Sequence, residues 1–200
     1  MMETIKHLRE EEMMCLNALA GGGEIWGVPL SMHRPYEQRY VDETIASLQG
    51  KGLIDDNRHL TISGKLYIKA FMDYKNGQTY ITISDLHIAL LHKKHLCAFI
   101  QKLADSYVVF YTDTKLVYDL LCMKCMEGRE GEAFEIGIRR VRSQEEHYRI
   151  RKQQEAYEVY RKDRDHQVHM NQNELERWLA DILGMEAAAY GKGQPFIQLF

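Results

Sequence analysis

The sequence predicts an α+β protein, an antiparallel sheet flanked by helices, and three observations carry that expectation. Apolar residues recur at helical spacing early in the chain and again between Leu175 and Leu183. Between Thr79 and Asp113, runs rich in β-branched and aromatic residues are separated by short polar breaks, the pattern of an antiparallel meander of about four strands. "EAFEIGIRRV" alternates Phe134, Ile136 and Ile138 against Glu135, Gly137 and Arg139, as a half-buried strand does. With 200 residues and 45% apolar content the chain is large enough for one sizeable core. We therefore expect a single α+β domain over 1–200: a helical, hairpin-containing subdomain over 1–78, a sheet region over 79–143, and C-terminal helices with an edge strand over 144–200.

The first helix is predicted from Thr4 to Ala20, where Ile5, Leu8, Met13, Leu16 and Leu19 recur and Glu10 to Glu12 lie toward the end that the helix dipole favours. Gly21 to Gly23 end it. In "EIWGVPL" the large apolar Ile25 and Trp26 must pack on something. Pro35 suits a first helical turn, and the helix that follows carries Tyr36, Tyr40, Val41, Ile45 and Leu48 along one side before Gly50 and Gly52 close it. "LIDDNRHLTI" reads as a short hairpin turning at Asp56 and Asn57. Ser63 is the expected N-cap of a third helix that carries Leu66, Ile68, Ala70, Phe71 and Tyr74.

Over Leu86 to Leu103, strands are preferred to a helix with His92 to His95 on its polar face. "TKLVYDLLCMKCM" follows as a short helix, and the polar Gln144 to Gln167 stretch reads as a solvated helix or flexible excursion. "NQNELERWLADILG" is amphipathic, with Leu175, Trp178, Leu179, Ile182 and Leu183 on one face and Gly184 at its end. "PFIQLF" after Pro195 is the expected edge strand. Aligning Gly21 with Gly184 also sets Leu16 against Leu179 and Leu19 against Ile182, a faint internal echo.

Composition narrows the function. A net charge of −3 gives no global attraction to phosphate backbones or anionic lipid. No apolar run approaches the roughly 20 residues of a membrane span, and the acidic N-terminus lacks a signal-peptide layout, so no membrane insertion and a cytoplasmic location are expected. Cys122 and Cys125 form one C-x-x-C pair without a second, and His87, His92 and His95, or His166 and His169, have no further partner at a metal-binding spacing. Two half-buried thiols on a Met-rich helix, with no metal and no cofactor, is the expectation. There is no glycine-rich phosphate loop, nucleophile elbow or H-E-x-x-H, and Asp55 and Asp56 sit where turn formation is their natural work. We expect a binding protein rather than an enzyme.

A winged-helix DNA-binding regulator is the alternative, because "LQGKGLIDDNRHLTISGK" has the order of recognition helix, wing and next element. Its charges argue against it. Over Tyr36 to Gly52, Arg39 and Lys51 meet Glu37, Asp42 and Glu43, and the wing tip carries two carboxylates. A second basic stretch, Arg139 to Arg164, has nine Lys/Arg against five acids, with Tyr148, Tyr157 and Tyr160 interleaved where they could stack on bases. A solvated, salt-bridge-laced helix is the preferred reading of this stretch, and nucleic acid is not the expected partner.

From Leu8 to Asp113 the order of elements resembles a known family. "LREEEMMCLNALAG" leads through "WGVPL" to a helix ending "LQGKGLID", then "RHLTISGKLYIKAF", then "TYITI", "HIALL", "LCAFI" and "YVVFYTD". This is similar to the N-terminal half of the EspG-type accessory chaperones of type VII (ESX) secretion and their Gram-positive relatives. The resemblance implies a quasi-twofold α+β architecture and a cytosolic, non-catalytic chaperone that keeps a helical-hairpin secretion substrate soluble by covering its apolar tip. Such work needs exposed sheet and loop residues, and the candidates are the aromatic residues near strand ends, Tyr80, Tyr107, Phe110 and Tyr111. A homodimer is compatible with this reading.

Overall fold

The computed structural model of the chain describes residues 6–28, 38–84, 86–91 and 96–185. Among these, five helices and nine strands form an α+β fold with antiparallel strand pairing. The chain divides into two compact units, 1–111 and 112–200, so the boundary falls within the stretch expected to be one sheet region.

The first unit begins with a two-residue strand β1 (His7–Leu8) and helix α1 (Glu10–Leu19). The helix starts later than its periodicity predicts, because Leu8 pairs with Tyr107 and so joins the sheet. The Arg9 backbone N–H donates to Glu12 Oε2 at 2.6 Å and marks the start, while Leu19, expected on the apolar side, is 54% exposed. Beyond Gly21 to Gly23, all at positive φ, Ile25 and Val28 enter the core and Trp26 packs on Tyr80 with ring centroids 5.2 Å apart. Pro35 and Tyr36 lie outside the described residues. Helix α2 (Gln38–Gly50) buries Thr44 and Leu48. Just past it, Lys51 reaches the fully buried carboxylate of Glu12.

Ile54 and Leu60 then close a hairpin by a single antiparallel bridge. Asp55 Oδ1 accepts the backbone N–H groups of Asn57 at 2.9 Å and His59 at 2.8 Å, so this carboxylate builds the turn. Helix α3 (Ile62–Lys75) is capped by Thr61 and not by Ser63. Thr61 Oγ1 accepts from Gly64 N at 3.1 Å and donates to Gly52 O at 2.6 Å. Ser63 falls inside the first turn, where its hydroxyl is buried without a partner among the described residues. Gly64 is required by close approach: a Cβ there would lie 2.0 Å from Leu53 O.

The meander follows as β2 (Thr79–Ile83), β3 (Leu86–Leu90), β4 (Leu96–Lys102) and β5 (Tyr107–Asp113), with strand order β1-β5-β4-β3-β2 in this unit. Within 86–103 the described residues form the two strands Leu86–Leu90 and Leu96–Lys102, as preferred from sequence; 92–95, with His92 and His95, lie outside the described residues. Tyr80 opposes Ala89, which opposes Ala98, and these with Ile100, Tyr107 and Val109 join the core that Leu16, Leu48, Phe71 and Tyr74 supply from the helices. Ile81, Ile88 and Phe99 alternate to the other face and are buried too.

The second unit runs α4 (Thr114–Glu127), β6 (Ala133–Arg140), β7 (Glu146–Gln153), β8 (Ala156–Arg161), β9 (His166–Asn171) and α5 (Gln172–Leu183). Its strands pair in chain order. The polar stretch expected as a helix or excursion is therefore two strands and part of a third. Its apolar residues obey a period of two, with Ile150 opposite Val159 and Val159 opposite Val168 on one face, and few apolar side chains suffice because the other face is polar. "PFIQLF" lies outside the described residues.

The internal echo is also reassigned. Leu19 is exposed where Ile182 is buried, so α1 and α5 are not equivalent. Helices α4 and α5 are: each follows a four-stranded meander and is capped by the last residue of its final strand, Asp113 or Asn171. Val117, Leu121, Cys122 and Cys125 then occupy the same buried positions as Leu175, Leu179, Ala180 and Leu183. Among the described residues, no helix is long and apolar enough to cross a membrane.

Two predictions follow from these contacts. Burial alone would raise the Glu12 carboxyl pKa, but Lys51, the Ser47 hydroxyl and the Arg9 N–H outweigh it and hold it below the ordinary value. The pair's contribution is present above the unfolded-state value of about 4.3 and is lost as pH falls through the folded-state value. Lys51→Met should cost about 3 kcal/mol in urea denaturation at neutral pH, and the stability gap between wild type and Glu12→Gln should shrink on acidification below about pH 4. Second, Thr61→Ala should cost about 1 kcal/mol, whereas Ser63→Ala should be neutral or better. Gly64→Ala should exceed the cap variant in thermal melts, because Leu53 O belongs to the backbone and cannot swing aside.

Candidate functional site

Alternation along the strands splits the four aromatic candidates. Tyr80, Tyr107 and Tyr111 lie on the face of the sheet that meets the helices, and Phe110 lies on the opposite face, where it stacks on Phe99 at 4.9 Å. Tyr80 and Tyr107 are buried. The Tyr80 hydroxyl donates to Lys75 O at 2.7 Å and the Tyr111 hydroxyl to Asp73 Oδ2 at 2.7 Å, so both are satisfied within the chain. Burial and the Asp73 carboxylate push the Tyr111 pKa well up, and Lys69 lies 5.7 Å from its ring centroid. Tyr80 and Tyr107 therefore serve the core, Tyr111 secures α3 to β5, and the four do not converge on one surface.

The surface that sequence reasoning missed is the outward side of α3. Ile62 is 81% exposed and Leu66, one turn on, is 47% exposed. Helical spacing places Lys65 and Lys69 beside them and Met72, 48% exposed, at the end of the same side. Lys69 pairs with Asp73, whereas Lys65 has no acidic partner among the described residues. The inner face of the same helix carries Tyr67, Ile68, Phe71 and Tyr74, so helical periodicity alone could have found the two-sidedness. Because Thr61 and the Gly64 contact hold the first turn, Ile62 and Leu66 stand on a rigid element.

The basic stretch from Arg139 to Arg164 is divided by the same alternation. Tyr148 and Tyr157 turn toward the face with Ile150 and Val159, and Tyr148 meets Trp178 of α5 edge-on at 5.1 Å; Tyr160 takes the other face with Arg149 and Glu158. The tyrosines thus form no continuous stacking platform. Arg149 and Lys162 both bind Glu135, at 3.1 Å and 2.8 Å, and hold its carboxyl below the ordinary pKa. Arg161 binds Asp163 at 2.8 Å and Glu146 at 3.0 Å, and Arg140 binds Glu146 at 3.2 Å. These four of the nine cations are already paired with carboxylates, which weakens the attraction of the stretch for a nucleic acid. At the hairpin expected as a wing, Asp55 is committed to the turn.

Cys122 and Cys125 are free, buried thiols on α4, and desolvation pushes them up to about 11 and about 12. At neutral pH they are protonated and unreactive. Among the described residues no group of three or more His, Cys, Asp and Glu is placed to hold a metal ion. A cleft of about 230 Å³ at the end of α4, lined by Cys125, Gly128, Phe134, Ile150 and Lys152, is smaller than the roughly 300–1,000 Å³ typical of small-molecule sites.

The paired cations of the second unit make a measurable statement. Fluorescence anisotropy with random duplex or single-stranded oligonucleotides at low salt should show no submicromolar, salt-sensitive binding, and an affinity in that range would reinstate the nucleic-acid interface.

No curated protein matches this sequence. A family model described as a domain of unknown function, DUF5081, matches residues 2–181, and with nine-tenths of its length so covered the chain belongs to that family.

Proposed function

We propose that this protein is a non-catalytic chaperone that binds a helical-hairpin substrate of type VII secretion and keeps it soluble in the cytosol. Exposed Ile62 and Leu66 beside Lys65 and Lys69 on α3 carry the proposal. A single exposed leucine needs no explanation, but an isoleucine 81% exposed with a leucine one turn away gives the free chain no packing benefit. A partner helix laid across α3 would bury both, and acidic residues flanking its apolar stripe would meet Lys65 and Lys69. The helical-hairpin partner is what the resemblance to the EspG-type chaperones implies; the surface offered to it here is a helix face in place of the sheet and loop residues expected from sequence, and it requires no catalytic group.

Co-expression with helical-hairpin candidates tests the reading. A stable complex should co-purify, and Ile62→Lys combined with Leu66→Lys should abolish it while changing stability by no more than about 0.5 kcal/mol per site. Undiminished capture by the double variant would move the interface elsewhere, and failure of every hairpin partner to bind would remove the chaperone assignment.

A further inference from the structure

The edge strand of the second unit, β9, bears on how the protein assembles. Among the described residues β9 has a neighbour on one side only, β8. The direction of its backbone groups follows from a single bond. Lys162 N–H donates to His147 O at 2.9 Å, so those two residues form a hydrogen-bonded pair, and alternation turns the groups of Tyr157, Val159 and Arg161 toward β9. They oppose Met170, Val168 and His166. Gln167 and His169 therefore project their N–H and C=O groups outward. Asn171, next in the same phase, agrees: Glu174 Oε2 takes its N–H at 2.8 Å.

This edge lacks the usual protections. "HQVHMN" has no Lys, Arg, Asp or Glu and no Pro, and it pairs with β8 over six consecutive residues without a bulge. In the first unit, the edge strand β1 is two residues long, which is itself a protection.

We propose that β9 is a dimerisation edge and that its occupant is the β9 of a second copy, added antiparallel about a twofold axis at Val168. The outward groups are symmetric about that residue. Gln167 would exchange backbone hydrogen bonds with the partner's His169, and His169 with the partner's Gln167, while Val168 would face its own counterpart. Because the strand has no formal charge, two copies meet without like-charge repulsion. The arrangement is isologous and closed, so it gives a dimer and no fibre.

Cysteine cross-linking of the full-length chain reads the register directly. In the proposed pairing the two Val168 Cα atoms stand about 4.5 Å apart, within disulfide reach, whereas the two Gln167 Cα atoms are diagonal neighbours at about 7–8 Å. Val168→Cys should form an intermolecular disulfide under mild oxidation, and Gln167→Cys should not. By sedimentation, the wild-type chain should run at twice 23.5 kDa at high micromolar concentration. Gln167→Lys with His169→Lys, both exposed positions, places lysines opposite one another across the axis and should leave a monomer with an unchanged circular-dichroism spectrum. A monomeric wild-type chain whose Val168→Cys variant does not cross-link overturns the proposal. So does equal cross-linking at both positions, or an edge that takes up only extended peptides of other proteins.

Discussion

The contact on which the first unit depends is the seating of α3 on its sheet through three aromatic rings. Tyr74 is fully buried, with its ring 5.6 Å from that of Tyr80, and its hydroxyl donates to Trp26 O at 3.0 Å. Burial drives the Tyr74 pKa far above its ordinary value, so the hydroxyl remains a donor. Trp26 rests on Tyr80, whose hydroxyl returns to Lys75 O at the end of the helix. Connector, helix α3 and strand β2 are thus joined by groups that are both apolar and hydrogen-bonded, which fixes geometry in a way that aliphatic packing alone does not. Everything that α3 presents outward inherits its position from this seat and from the Thr61 and Gly64 corner at its other end.

The second unit is organised differently. Its strands contribute Ile136, Ile138, Ile150, Tyr157 and Val159 to the buried interior, and α4 and α5 supply the remainder through matching positions after matching caps. The opposite face is held by polar contacts such as the Arg149–Glu135 ion pair and the hydrogen bond from the Gln153 amide to Glu158. Exposed pairs of that kind contribute little stability, so burial under the two helices supplies most of it. That economy explains why the stretch looks so polar when read along the chain.

These properties suit the association proposed for the protein. Both features singled out here for contact are regular elements: a helix face held by caps and aromatic packing, and a strand edge whose phase is set by its neighbour. Sites on such elements keep their geometry without a partner, which lowers the ordering cost of binding.

Read as text, the sequence determined the α+β class, the β2–β5 meander, α4, α5 and the turn at Asp55, because each follows from short-range patterning or a local cap. Other features were decided by tertiary structure. Leu8 could have extended a helix, but pairing with Tyr107 made it strand. Thr61 prevailed over Ser63 as a cap because the Gly52 carbonyl was within reach. Tyr80 and Tyr107 resembled interface tyrosines, yet the sheet turned them toward the helices. Gln144 to Gln167 had the polarity of a solvated helix, and became strands because a sheet with one polar face needs an apolar residue only at every second position. Local propensity follows from neighbours in sequence, whereas the face a side chain occupies follows from which strand lies beside it, and that is settled only when the chain has closed on itself.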